Sequence, residues 1–129
     1  MIKRTLGAAV VSASLLAGSA WAHHSLAGVY DIKGSGSVTG VVKKVQFINP
    51  HGVLTVTVEN EDGSKTDWEF TTGSANVLAN LGLGRGQANT VVAGDTVTIA
   101  YMPARNGKPL GFIRSITLPN STTIEIDPD

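Results

Sequence analysis

Residues 53–72 read VLTVTVENEDGSKTDWEFTT, and this stretch constrains the fold more than any other in the chain. Leu54, Val56 and Val58 alternate with Thr55 and Thr57, so a strand built from them is apolar on one face only. Asp62-Gly63 is a strong hairpin signal, and beyond it Trp68 and Phe70 alternate with Asp67 and Glu69. Two such strands joined by a tight turn make an antiparallel meander, with Asp67 and Glu69 keeping the outer face wet.

The flanking segments extend this pattern. SVTGVVKKVQFI, Ser37 to Ile48, is rich in β-branched residues and predicts a long first strand, with Gly40 at the place where it bends or bulges. In Asn49-Pro50-His51-Gly52, Pro50 fixes φ and Gly52 permits a positive φ, which predicts a turn. GSANVLANLGLGRG then breaks the period of two. Ser74 serves as an N-cap, Ala75, Val77, Leu78 and Leu81 fall at helical spacing, and Gly82 is a stop. A short helix over Ala75–Leu81 is expected, followed by a glycine-rich loop through Asn89.

Strands resume with DTVTIAYMPA, PLGFIRSITL after the Asn106-Gly107 turn, and a last short TTIEI. The order β-β-β-α-β-β, with one helix between strands three and four, predicts an all-β, OB-like barrel of five to six strands. A small sandwich is the competing architecture. Closure of the barrel requires strand one to pair with strand four as well as with strand two. Trp68, Phe70, Tyr101 and Phe112 are the expected aromatic core.

The first 22 residues, MIKRTLGAAVVSASLLAGSAWA, have the three parts of a secretory signal: basic Lys3 and Arg4, a short apolar run, and a small-x-small site at Ala20-Trp21-Ala22. The run is too short and too rich in small residues to span a membrane, which takes about 20 apolar residues. The expected organisation is a signal peptide at 1–22, an N-terminal arm at 23–36 and the barrel at 37–129, in an exported protein that is periplasmic or secreted. Without Lys3 and Arg4, the ten basic residues become eight against ten acidic ones. Such a surface has no block that would attract nucleic acid or anionic lipid, and strand two carries no aromatic for stacking bases. There is no cysteine, so stability rests on packing, helped or not by a bound ion.

The chain has three histidines, in two motifs: His23-His24-Ser25 and Asn49-Pro50-His51. Cleavage after Ala22 makes His23 the new terminus, whose α-amine and imidazole Nδ1 can chelate one ion. Nitrogen ligands of this kind suit copper first in the intrinsic affinity order, and the lack of thiols favours Cu(II) over Cu(I). His51 supplies a further nitrogen, with His24 as an alternate or fourth ligand. The metal-ligand candidates are therefore His23, His24 and His51. Tyr30 and Asp31 are candidate weak oxygen ligands or hydrogen-bond partners for a ligating histidine. A straight first strand separates its ends by about 40 Å, and an extended arm covers about the same distance, so the two motifs meet comfortably only if strand one curls. No nucleophile-histidine or paired-acid spacing points to catalysis.

AHHSLAGVYD, GSVTGVVKKVQFINPH, DWEF, AGDTVTI and NGKPLGFIRSITLP together resemble a family of exported bacterial proteins described as a domain of unknown function. The resemblance covers nearly the whole chain after residue 22, and its most specific parts are the two histidine motifs. The chain departs from the family's pattern at Gly52-Val53-Leu54, where an aromatic is common, and at LPNSTTI, where an Asp-Gly turn is usual. The resemblance implies export and the coupling of the two motifs but no activity. The reading that results is a small exported β-barrel binding module that takes up copper at the mature N-terminus. The alternatives are a metal-free structural or interaction protein of the cell envelope and, third, an oxidative copper enzyme.

Overall fold

The computed structural model describes residues 25–126. The expected signal peptide, His23 and His24 lie outside them. The alternating segments form β1 (Gly36–Gln46), β2 (Val53–Glu59), β3 (Lys65–Thr71), β4 (Thr96–Pro103), β5 (Leu110–Thr117) and β6 (Thr123–Glu125). Residues 25–29 are helical and are called α1. The helix between β3 and β4, α2, runs Ala75–Asn80 with Leu81 as its C-cap. At its start the Ser74 hydroxyl oxygen accepts from the Val77 N–H at 3.2 Å, the capping role read from the sequence.

β1 closes the barrel by dividing its length between two neighbours. Its first half, Gly36–Val41, pairs antiparallel with β4, and its second half, Val41–Gln46, pairs with β2. β3 pairs with β2 and runs parallel to β5 through Glu69–Thr71, while β4 pairs with β5. The ring is β1-β2-β3-β5-β4, with β6 added on the edge of β5. This is the OB-like barrel the strand order predicts.

The bulge in β1 lies between Val42 and Lys44, not at Gly40. The extra residue sends Lys43 and Lys44 to the exposed face together while Val42 stays buried. Gly40 answers a different need. A Cβ there would lie 2.5 Å from the Thr57 carbonyl oxygen and 2.7 Å from a Val56 methyl, so the missing side chain lets β2 cross close by.

Leu54, Val56 and Phe70 are fully buried, and Val58 and Trp68 pack partly buried against the same cluster. The Trp68 ring lies 5.8 Å from Phe70 and 5.2 Å from Tyr101, and burial pushes the Tyr101 phenol above its usual pKa. Side chains fill the interior, leaving a void of about 30 Å³ between Val45, Leu54, Leu78 and Ile113. That is room for a water or two at most, so the barrel holds no ligand chamber there.

Phe112 is buried as expected, but in a second apolar cluster with Tyr30, Met102 and Ala104. On β4 and β5 the alternation gives way to the buried pairs Tyr101-Met102 and Phe112-Ile113. Tyr101 and Ile113 face the barrel core, while Met102 and Phe112 belong to the cluster beneath the N-terminal arm. Among the described residues no helix is long and apolar enough to cross a membrane.

Candidate functional site

His51 stands in a turn that is fastened on three sides. The Asn49-Pro50 peptide is cis. The Gly52 N–H donates to the Gly73 carbonyl at 3.1 Å and the Thr72 N–H to the Gly52 carbonyl at 2.9 Å. The Ala75 N–H donates to Asn49 Oδ1 at 3.1 Å, so the turn also satisfies a free amide at the start of α2. Gly52 does not adopt the positive φ expected of it. It is glycine because a Cβ would lie 2.6 Å from Thr72 Oγ1 and 2.8 Å from the Gln46 carbonyl oxygen. Held this way, His51 is exposed, with its ring edge-to-face on Phe112 at 5.9 Å and 79°.

The N-terminal arm reaches the same ring. Leu26, partly buried, and Tyr30, 7% exposed, pack with Met102, Ala104 and Phe112. The Tyr30 ring meets Phe112 at 5.7 Å and 76°, and its hydroxyl shares a 2.7 Å hydrogen bond with Thr71 Oγ1. Main-chain bonds run from the Asp31 N–H to the Pro103 carbonyl and from the Arg105 N–H to the Val29 carbonyl, each 2.9 Å. Two arginines add side-chain bonds: Arg105 Nε to the Ala27 carbonyl at 2.7 Å and Arg114 Nη2 to the Ile32 carbonyl at 2.6 Å. Phe112 is thus shared by His51 and the arm.

Tyr30 and Asp31 are engaged locally. The Tyr30 hydroxyl is bonded to Thr71, and Asp31 Oδ1 accepts from the Lys33 N–H at 3.2 Å. Among the described residues no group of three or more His, Cys, Asp or Glu side chains gathers. The other two histidines of the chain precede Ser25, so any site joining them to His51 draws its remaining nitrogens from outside the described residues.

A separate groove of about 610 Å³ runs over the outer face of the sheet, lined by Lys43, Lys44, Thr55, Asp67, Glu69 and Lys108 among others. Among the described residues no histidine borders it. Asp67 accepts from Lys43 Nζ at 2.5 Å and from Thr57 Oγ1 at 2.7 Å, and the Lys43 bond above all holds its carboxyl below the usual value. The pair is exposed, so it adds little to stability.

Sequence reasoning missed Phe112 as the contact of His51, Asn49 as a partner of α2, and the arginine contacts to the arm. Only the first had a signal. YMPA and LGFI are continuous rather than alternating, as expected of strands covered on both faces.

No curated protein and no solved structure matches the chain. One family model matches residues 9–113, that of a family of unknown function, DUF6152.

Proposed function

The chain belongs to that family of unknown function, and on this footing we propose that it is an exported binding module holding one copper ion between its mature N-terminus and His51. Export is read from the three-part sequence of residues 1–22. The observation that carries the metal reading is the shared ring: His51 and the arm residue Tyr30 both pack on Phe112, and Leu26 joins the same cluster. His23 lies three residues before Leu26, and Cα atoms are 3.8 Å apart along the chain, so its Cα is within about 11 Å of that of Leu26. The span to be bridged is then a few residues rather than a whole arm.

The ligands in this reading are the His23 amine and imidazole and the His51 imidazole, with His24 as alternate or fourth. His51 is exposed, which leaves an ion beside it open to solvent and to exchange. Imidazoles and amines bind metal only when deprotonated, so affinity weakens as pH falls through about 6.

The test uses protein recovered from the periplasm, whose intact mass should begin at His23. The parent takes up one equivalent of Cu(II). His51→Ala and a variant with one extra residue before His23 each bind more weakly and change the electron paramagnetic resonance spectrum. His51 is exposed and its ring meets the buried Phe112 only edge-on, so His51→Ala leaves the barrel core in place. If both variants bind as the parent does, the motifs do not share an ion, and a metal-free envelope protein becomes the better reading.

A further inference from the structure

We propose that β3 pairs edge to edge with β3 of a second copy of this chain, across a two-fold axis at Thr66. On the side away from β2, β5 covers only Glu69–Thr71, and among the described residues no strand covers Lys65–Trp68. Which groups face that edge follows from the hairpin. The Asn60 N–H donates to the Ser64 carbonyl at 2.7 Å, so alternation along the ladder turns Thr66 and Trp68 toward β2. Lys65, Asp67 and Glu69 are then turned outward, and the Glu69 N–H does point that way, donating to the Pro109 carbonyl at 3.1 Å. The N–H and C=O of Lys65 and Asp67 lie open on this edge, and both residues are exposed.

Open edges are templates for another strand, and charged side chains normally keep strands away from them. On β3 the charges are unlike and two residues apart, so they suit an antiparallel copy of themselves. With the axis at Thr66, Lys65 stands opposite the partner's Asp67 and Asp67 opposite the partner's Lys65. Each pair exchanges two main-chain hydrogen bonds and sets opposite charges side by side. Thr66 then meets the partner's Thr66, a favourable cross-strand pair.

Neighbouring registers fail. Moving the axis to Lys65 sets lysine against lysine. Moving it to Asp67 sets aspartate against aspartate and calls on the Glu69 N–H, which Pro109 already holds. The two-fold contact closes on itself, so this edge forms a dimer and not a filament.

The experiment uses the whole chain as recovered from cells, in sedimentation equilibrium up to about 1 mM, the range of a weak interface. The parent dimerises reversibly. Lys65→Asp sets carboxylates opposite each other twice and weakens the dimer roughly tenfold or more. Lys65→Asp combined with Asp67→Lys restores unlike pairs and recovers most of the affinity. A cysteine scan reads the register, because the chain has no thiol of its own. Across the axis the two Thr66 Cα atoms lie about 4.5 Å apart, within disulfide reach, whereas the two Lys65 Cα atoms are about 8 Å apart. Under oxidised glutathione, Thr66→Cys therefore forms covalent dimers much faster than Lys65→Cys or Asp67→Cys. A parent that stays monomeric throughout overturns the proposal, as do a dimer indifferent to Lys65→Asp and equal rates at the three cysteine positions.

Discussion

His51 is presented by its neighbours. Its ring has one aromatic contact, and its orientation depends on a turn whose main chain is pinned to Gly73 and Thr72 and whose Asn49 side chain accepts from the Ala75 N–H. Gly52 is the tightest point of that arrangement. In Gly52→Ala the new methyl meets the Thr72 hydroxyl and the Gln46 carbonyl, and strand ends held by hydrogen bonds have little room to give. The expected cost is about 1–3 kcal/mol, typical of overpacking, read as a lower urea midpoint. On the copper reading proposed above, affinity for Cu(II) should fall with it, because the imidazole moves with the turn.

At the scale of the element, α2 is a support for the turn as well as a plug over the barrel. Leu78 buries into the core cluster, Ser74 caps the first turn, and the Ala75 amide is taken by Asn49. Ser74→Ala removes the acceptor of the Val77 N–H and is expected to cost about 1 kcal/mol. Hydrogen exchange should quicken at Val77 first and at Ala75 with it, since fraying of α2 loosens the bond to Asn49. Equal protection of both amides in the variant would show that the packing of Leu78 alone holds the helix.

At the scale of the molecule, the chain has two apolar clusters of unequal standing. The barrel cluster is assembled from β1–β5, α2, the loop after it and the later residues Leu118 and Ile126, and the smaller one exists only because the arm lies over Met102 and Phe112. A chain beginning at Lys33 loses Leu26 and Tyr30 and opens the two barrel side chains beneath them to water. Burying side chains of this size contributes about 1.5–3 kcal/mol each. With Leu26 only partly buried, we expect a loss of about 2–5 kcal/mol by urea unfolding. The fluorescence of Trp68 should stay native-like before the transition, because neither residue touches its cluster.

The sequence by itself determined what depends on short-range regularities. Alternation over 53–58 and 67–70, the Asp62-Gly63 turn and the cap at Ser74 each act within a few residues, so the β2–β3 hairpin and α2 were legible, and with them the order that makes a barrel. The bulge was not. Gly40 is the residue that marks a bend along the chain, yet the register shifts at Val42–Lys44, and Gly40 instead serves the close passage of β2. The sequence also marked His51 as a candidate without revealing its surroundings. Phe112 reads as one more core aromatic until the arm is laid over β4 and β5, and the hydrogen bond from Arg105 Nε to the Ala27 carbonyl spans 78 residues of chain. Contacts that distant leave no periodic trace, because each is settled by the packing of faces that only closure of the barrel brings together.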